Sequence, residues 1–194
     1  MNFDAVWAFL RIYTWFWPSV VVSAVASLVL SRPAAHALGT GRALASAILL
    51  SVGFVLSATL TPAPDALAYG AAGTGTCDLS RLGPASMREL LSFTDASLNM
   101  VLFIPLGVTV GLLPRSRAKA SIVVGGFAFP VLIELIQLVA TPLARACQSA
   151  DVADNVTGLT IGLAVGLVAA GVARFLGTLR HGRSQTADVG TRRA

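Results

Sequence analysis

Residues 120–140 read ASIVVGGFAFPVLIELIQLVA, twenty-one positions with one ionisable side chain, Glu134. As a helix rising about 1.5 Å per residue, this run is about 31 Å long, close to the roughly 30 Å hydrocarbon thickness of a bilayer. Four other runs reach spanning length or approach it: Trp15–Leu30, Leu44–Leu60, Ser97–Leu113 and Val156–Leu176. Hydrophobic residues make up 55% of the 194-residue chain and charged residues only 12%, well below the roughly 25% charge of an average soluble domain. The fold class is therefore an all-α, polytopic transmembrane helical bundle of about five spanning helices.

The segments between the runs set topology. Trp7, Phe9, Tyr13, Trp15, Phe16 and Trp17 precede or open the first run, where amphipathic rings suit the headgroup level, and Pro18 falls in an early turn that tolerates it. Arg32 and Pro33 are expected to end that helix. The alternative for this segment is a signal peptide cut after Ala35-His36-Ala37, although Asp4 and a single Arg11 make a poor positive leader. The chain divides into an N-terminal segment with the first helix (1–39), a transmembrane domain (40–176) and a basic, disordered tail (177–194). With five spans, ten basic residues, among them Arg115, Arg117 and Lys119, fall on one side, and Arg11, Arg81, Arg88 and Arg145 on the other. By the positive-inside rule the C-terminus is cytoplasmic, and the 61–94 and 141–155 loops are extracytoplasmic. The net charge of +5 is thus explained by topology, and no basic-aromatic motif for nucleic acid is present.

Cys77 and Cys147 lie one in each of those loops, on the oxidising side of a plasma membrane. They either pair, closing a loop of about seventy residues, or are two unrelated thiols.

Three helix ends carry polar pairs at helical spacing: Asp95/Asn99, Glu134/Gln137 and Asp151/Asn155. Gly107 continues the first stripe. Gly158, Gly162 and Gly166 continue the third as a small-residue face for close helix packing, whose partner the sequence does not reveal. Topology brings all three pairs to the same leaflet, with Arg145 in the joining loop as the nearest evident cation. A charged residue at mid-helix costs about 2.5 to 3.5 kcal/mol on insertion scales, so Glu134 calls for a reason. The amides and Glu134 could serve as interhelical hydrogen bonds, and Asp95 and Asp151 as helix N-caps. Asp154, about a hundred degrees around the helix from the Asp151/Asn155 face, reads as solvated. So do Asp78, Arg81, Arg88 and Glu89, in a loop without clear pattern.

The stretch Asn99-Met100-Val101-Leu102-Phe103-Ile104-Pro105-Leu106-Gly107, the run Glu134-Leu135-Ile136-Gln137, and Arg145 followed by Asp151-Val152-Ala153-Asp154-Asn155-Val156-Thr157-Gly158 resemble the VanZ-like family of bacterial membrane proteins. The resemblance covers roughly residues 40 to 176. Here Ala146-Cys147-Gln148-Ser149-Ala150 separates Arg145 from Asp151, where many members are more acidic. The resemblance implies a bacterial plasma-membrane protein and, for the founding member, a contribution to resistance against the glycopeptide teicoplanin. It implies no reaction.

Residue chemistry and resemblance together favour a non-enzymatic protein. Its outward pocket of Asp95, Asn99, Glu134, Gln137, Arg145, Asp151 and Asn155 is expected to bind an envelope component, a lipid headgroup or a cell-wall precursor. The competing readings are an intramembrane enzyme on a lipid-linked substrate with Glu134 and Asp151 as acid and base, a proton-linked carrier, and a scaffold acting through the glycine face. No cofactor and no metal-ligand cluster are expected, the partners are membrane lipids, and oligomeric state is not legible.

Overall fold

The computed structural model describes residues 15–63, 66, 70–92 and 94–191, with backbone only at 87, 91 and 178–191. Trp7, Phe9, Tyr13 and Arg11 lie outside the described residues, and the expected tail falls, beyond residue 177, outside those with described side chains. The helices are α1 (Phe16–Leu38), α2 (Arg42–Thr59), a short α3 (Met87–Leu91), α4 (Asp95–Leu112), α5 (Arg117–Val139) and α6 (Ser149–Thr191). Five of them, α6 through its Ser149–Gly177 portion, are long and apolar enough to cross a membrane. This is a multi-pass helical membrane protein, with little sheet among the described residues.

The polar ends join the helices more than the apolar runs suggest. Helix α1 runs through Arg32 and Pro33 and stops at Gly39, whose φ of 59° is the left-handed conformation that glycine adopts without a Cβ penalty. Proline was expected to end this helix. An interior proline is tolerated in a spanning helix, where neighbouring groups can satisfy the carbonyl it leaves. The first spans pack through small residues: Ser19, Ser23, Ser27 and Ser31 recur every four positions on α1, and Ser19 and Ser23 lie 2.8 and 3.4 Å from the Ser57 hydroxyl of α2.

Helices α4 and α6 approach more closely still. A Cβ at Gly158 would collide with the Met100 carbonyl, and one at Gly111 would lie 2.7 Å from Gly166 Cα. The glycine face of Gly158, Gly162 and Gly166 therefore has its partner in this same chain, against Gly107 and Gly111 of α4. In lipid, where apolar contact alone does not drive helices together, such backbone proximity supplies the packing contacts that do. Ile48, Val55, Phe103, Leu106, Val110, Ile133 and Leu159 fill the space among α2, α4, α5 and α6.

A two-stranded parallel bridge closes one end, pairing β1 (Cys77–Asp78) with β2 (Cys147–Gln148), Cys77 opposite Cys147. The two cysteines form a disulfide with Cα atoms 4.6 Å apart. This disulfide end holds the C-terminus of α2 and α5 and the N-terminus of α4 and α6; at the opposite end α4 turns into α5.

Candidate functional site

The loops at the disulfide end form a cap. Gly73 N–H donates to Thr141 O at 2.7 Å, Ala63 N–H to Leu143 O at 2.9 Å, and the Ser149 hydroxyl to Arg81 O at 2.7 Å. Beneath it Glu134, Gln137, Asp154 and Asn155 are all buried. A buried carboxylate needs partners. Glu134 Oε2 accepts the Gln148 N–H at 2.7 Å, so the residue beside Cys147 holds it.

Asp154 and Arg81 correct the sequence reading. Asp154 is 0% exposed, and its oxygens receive the Arg81 guanidinium at 3.0 and 2.5 Å and the Ala85 N–H at 3.0 Å. The planar fork of arginine suits this two-point contact. That hydrogen bond raises Arg81 above the ordinary guanidinium pKa. A signal for Asp154 was available: the four-residue stripe through Gly166, Gly162 and Gly158, continued backwards, lands on it and predicts an inward side chain. Its partner, 73 positions away, had no such signal. Glu89 is also ordered, closing a capping box with Ser86 at the start of α3. The Ser86 hydrogen bonds hold its carboxyl below the usual range.

Asp151 lies within electrostatic reach of Asn99, Asp95, Asp154 and Arg81, and Glu134 in turn within reach of Asp151. Five of the expected residues, Asp95, Asn99, Glu134, Asp151 and, one turn along α6, Asn155, thus belong to one region. Neither aspartate is a cap residue: Thr94 occupies the N-cap of α4, and Asp151 lies in the first turn of α6. Both positions still favour negative charge through the helix dipole.

Gln137 and Arg145 reach toward α2. Gln137 Nε2 donates to Thr59 O at 3.0 Å, and Arg145 donates through Nε to Thr61 O at 3.0 Å and through a terminal nitrogen to Ala58 O at 3.3 Å. Arginine here satisfies carbonyls at the end of α2 that have no intrahelical donor. Arg81 is a cation within electrostatic reach of Asp151, a residue that the sequence did not mark for that role. Among the described residues two buried side-chain oxygens, Gln137 Oε1 and Asn155 Oδ1, have no hydrogen-bond partner. Among the described residues no group of three His, Cys, Asp or Glu side chains could hold a metal ion.

A family model for VanZ/LLP1 matches residues 6–170, most of the chain. The protein belongs to the VanZ/LLP1 family. The match starts ahead of α1, whereas the motifs carried the resemblance only from about residue 40, so the VanZ/LLP1 region takes in the serine-packed first helix as well. No curated protein and no solved structure matches the chain.

Proposed function

We propose that this VanZ/LLP1-family protein binds a component of the bacterial cell envelope, a lipid headgroup or a cell-wall precursor, at its disulfide end. In this reading that end faces outward from the plasma membrane and the C-terminus is cytoplasmic, as the distribution of Arg and Lys favours. One observation carries the proposal: among the described residues Gln137 Oε1 and Asn155 Oδ1 are buried without donors, 7% and 1% exposed as residues. Amides serving only as interhelical glue would satisfy both of their ends, since a buried unmet acceptor costs about 1 to 3 kcal/mol. A ligand bringing donors removes that cost. The surrounding Asp95, Asn99, Glu134, Asp151 and Arg145 line or brace the same end.

The reading is tested by mass spectrometry of lipids and precursors retained through purification. Wild type is expected to keep about one headgroup-bearing molecule per protein, and Asn155→Leu, which removes the acceptor while keeping the branching and heavy-atom count of the side chain, is expected to lose it while remaining folded. Equal retention by both, or none by wild type, overturns the proposal. In cells the same reading predicts that deletion alters the response to envelope-directed antibiotics, teicoplanin among them, and that Asn155→Leu fails to restore it.

A further inference from the structure

The charge of the ligand can be inferred from which groups at the disulfide end are already engaged, an inference that rests on the binding reading above. The two arginines with described side-chain bonds at this end, Arg81 and Arg145, are directed at protein acceptors. Arg81 contacts both oxygens of Asp154 and also donates to Gly83 O at 2.8 Å. Arg145 donates to Ala58 and Thr61 carbonyls. An anionic headgroup would have to share these guanidinium groups with the protein acceptors they already hold.

Acceptors, in contrast, are in surplus. Besides the carboxylate paired with Arg81 there are those of Asp151, of Asp95, which is exposed, and of Glu134, which takes the Gln148 N–H through one oxygen; among the described residues Asn155 Oδ1 and Gln137 Oε1 add two buried neutral oxygens without donors. The Gln137 orientation is fixed, because Thr59 O can only accept and so requires the amide NH₂ on its side. Asn155 lies one turn beyond Asp151 on α6, whose Gly158 meets Met100 of α4 and whose Asp151 is within reach of Asn99. Gln137 follows Glu134 by three residues, on the same face of α5. The two residues with unmet oxygens therefore share a helix face with a carboxylate on each of two helices.

A group that complements this set is positively charged and carries several N–H donors. A metal ion is not what this set favours, since among the described residues no three His, Cys, Asp or Glu side chains are grouped to hold one. A quaternary ammonium carries charge but no N–H, and would leave Asn155 and Gln137 unmet. A primary ammonium offers one charge and three donors. We propose that the disulfide end recognises a primary ammonium group, supplied either by an ethanolamine phospholipid or by the free amine of a wall-precursor peptide.

The full-length protein is offered an equimolar mixture of phosphatidylethanolamine, phosphatidylcholine and phosphatidylglycerol with identical acyl chains, and bound lipid is read by native mass spectrometry. In parallel it is titrated with a lysine-bearing pentapeptide and with its Nε-acetylated form. Phosphatidylethanolamine enriched about tenfold over phosphatidylcholine supports the proposal and identifies the lipid as source. Peptide binding that disappears on acetylation supports it and identifies the precursor. Asp151→Asn should reduce whichever preference is found. The comparison within wild type decides the matter even if that variant does not fold. Enrichment of phosphatidylglycerol, equal ethanolamine and choline binding with an indifferent peptide, or an amine preference unchanged in folded Asp151→Asn overturns the proposal. Lipid retained in wild type and lost in Asn155→Leu, but without amine preference, refutes the ammonium alone; no retained component refutes the binding reading too.

Discussion

The two ends of this bundle treat charge in opposite ways. At the α4–α5 turn, Arg115 and Arg117 stay outside, and the one basic side chain that folds back, Lys119, donates to Gly111 O at 2.6 Å and Leu113 O at 2.9 Å, where α4 leaves carbonyls without intrahelical donors. At the disulfide end two carboxylates and two amides are buried among the described residues, each carboxylate held by a backbone N–H from outside the spanning helices, Ala85 of a loop or Gln148 of β2. A membrane helix can bury charge near its end when something outside the helix supplies the donors. Here that something is the cap, and the cap is fastened by the disulfide.

If the contrast is right, perturbations at the disulfide end should cost more than those at the turn. The largest effect is expected where the helices that carry the cluster touch. Gly158→Ala drives a methyl into the Met100 carbonyl and should destabilise the protein by about 3 kcal/mol, measured as denaturation by SDS in mixed micelles. Gly125→Ala, with open space around it, serves as the control and should change nothing. Next comes Cys77→Ser. The loop closed by the disulfide spans 70 residues, but it includes α4 and α5, which stay helical in lipid even when unpacked, so the loss should be about 2 kcal/mol, below the full chain-entropy value. The same loss should follow in wild type on adding reductant.

Arg81→Ala leaves Asp154 buried without its cation, while the Arg81 side chain is itself 32% exposed. A destabilisation of about 1.5 kcal/mol is expected, between surface and buried pairs, and Asp154→Asn combined with Arg81→Ala should recover part of it in a double-mutant cycle. The smallest effect is expected at the other end, where Lys119→Met should cost under about 1 kcal/mol in the same titration. A loss at Lys119 equal to that at Arg81 would erase the distinction between the ends.

Much of this arrangement was legible in the sequence, and the limits have physical causes. The five spans follow from apolar length, and the disulfide pairing was one of two outcomes that topology allowed. The helix termini extend further than the apolar runs because Arg42, Asp95, Arg117 and Ser149 are polar yet helical, and hydropathy registers composition rather than hydrogen bonding. The serine packing of α1 on α2 left no mark as a site, since serine is unremarkable in either a helix or a loop. Asp154 was misjudged because its position was measured from Asn155 rather than from Gly158, four residues on. Arg81 could not be paired from sequence at all: its partner is fixed only once the loop is folded down, and the contacts that fold it are mostly backbone bonds without a residue signature.

The β1–β2 bridge also bears on how the protein is made. Cys77 is synthesised seventy residues ahead of Cys147, and α4 and α5 lie between them. During synthesis the first thiol must therefore wait, unpaired, while a complete helical hairpin is inserted and returns to the same side. A hairpin that failed to return would leave the second thiol across the bilayer from the first. Oxidation of this pair thus reports completed insertion, and the time lag between the two cysteines is a timer that pulse-labelling with a thiol reagent can read.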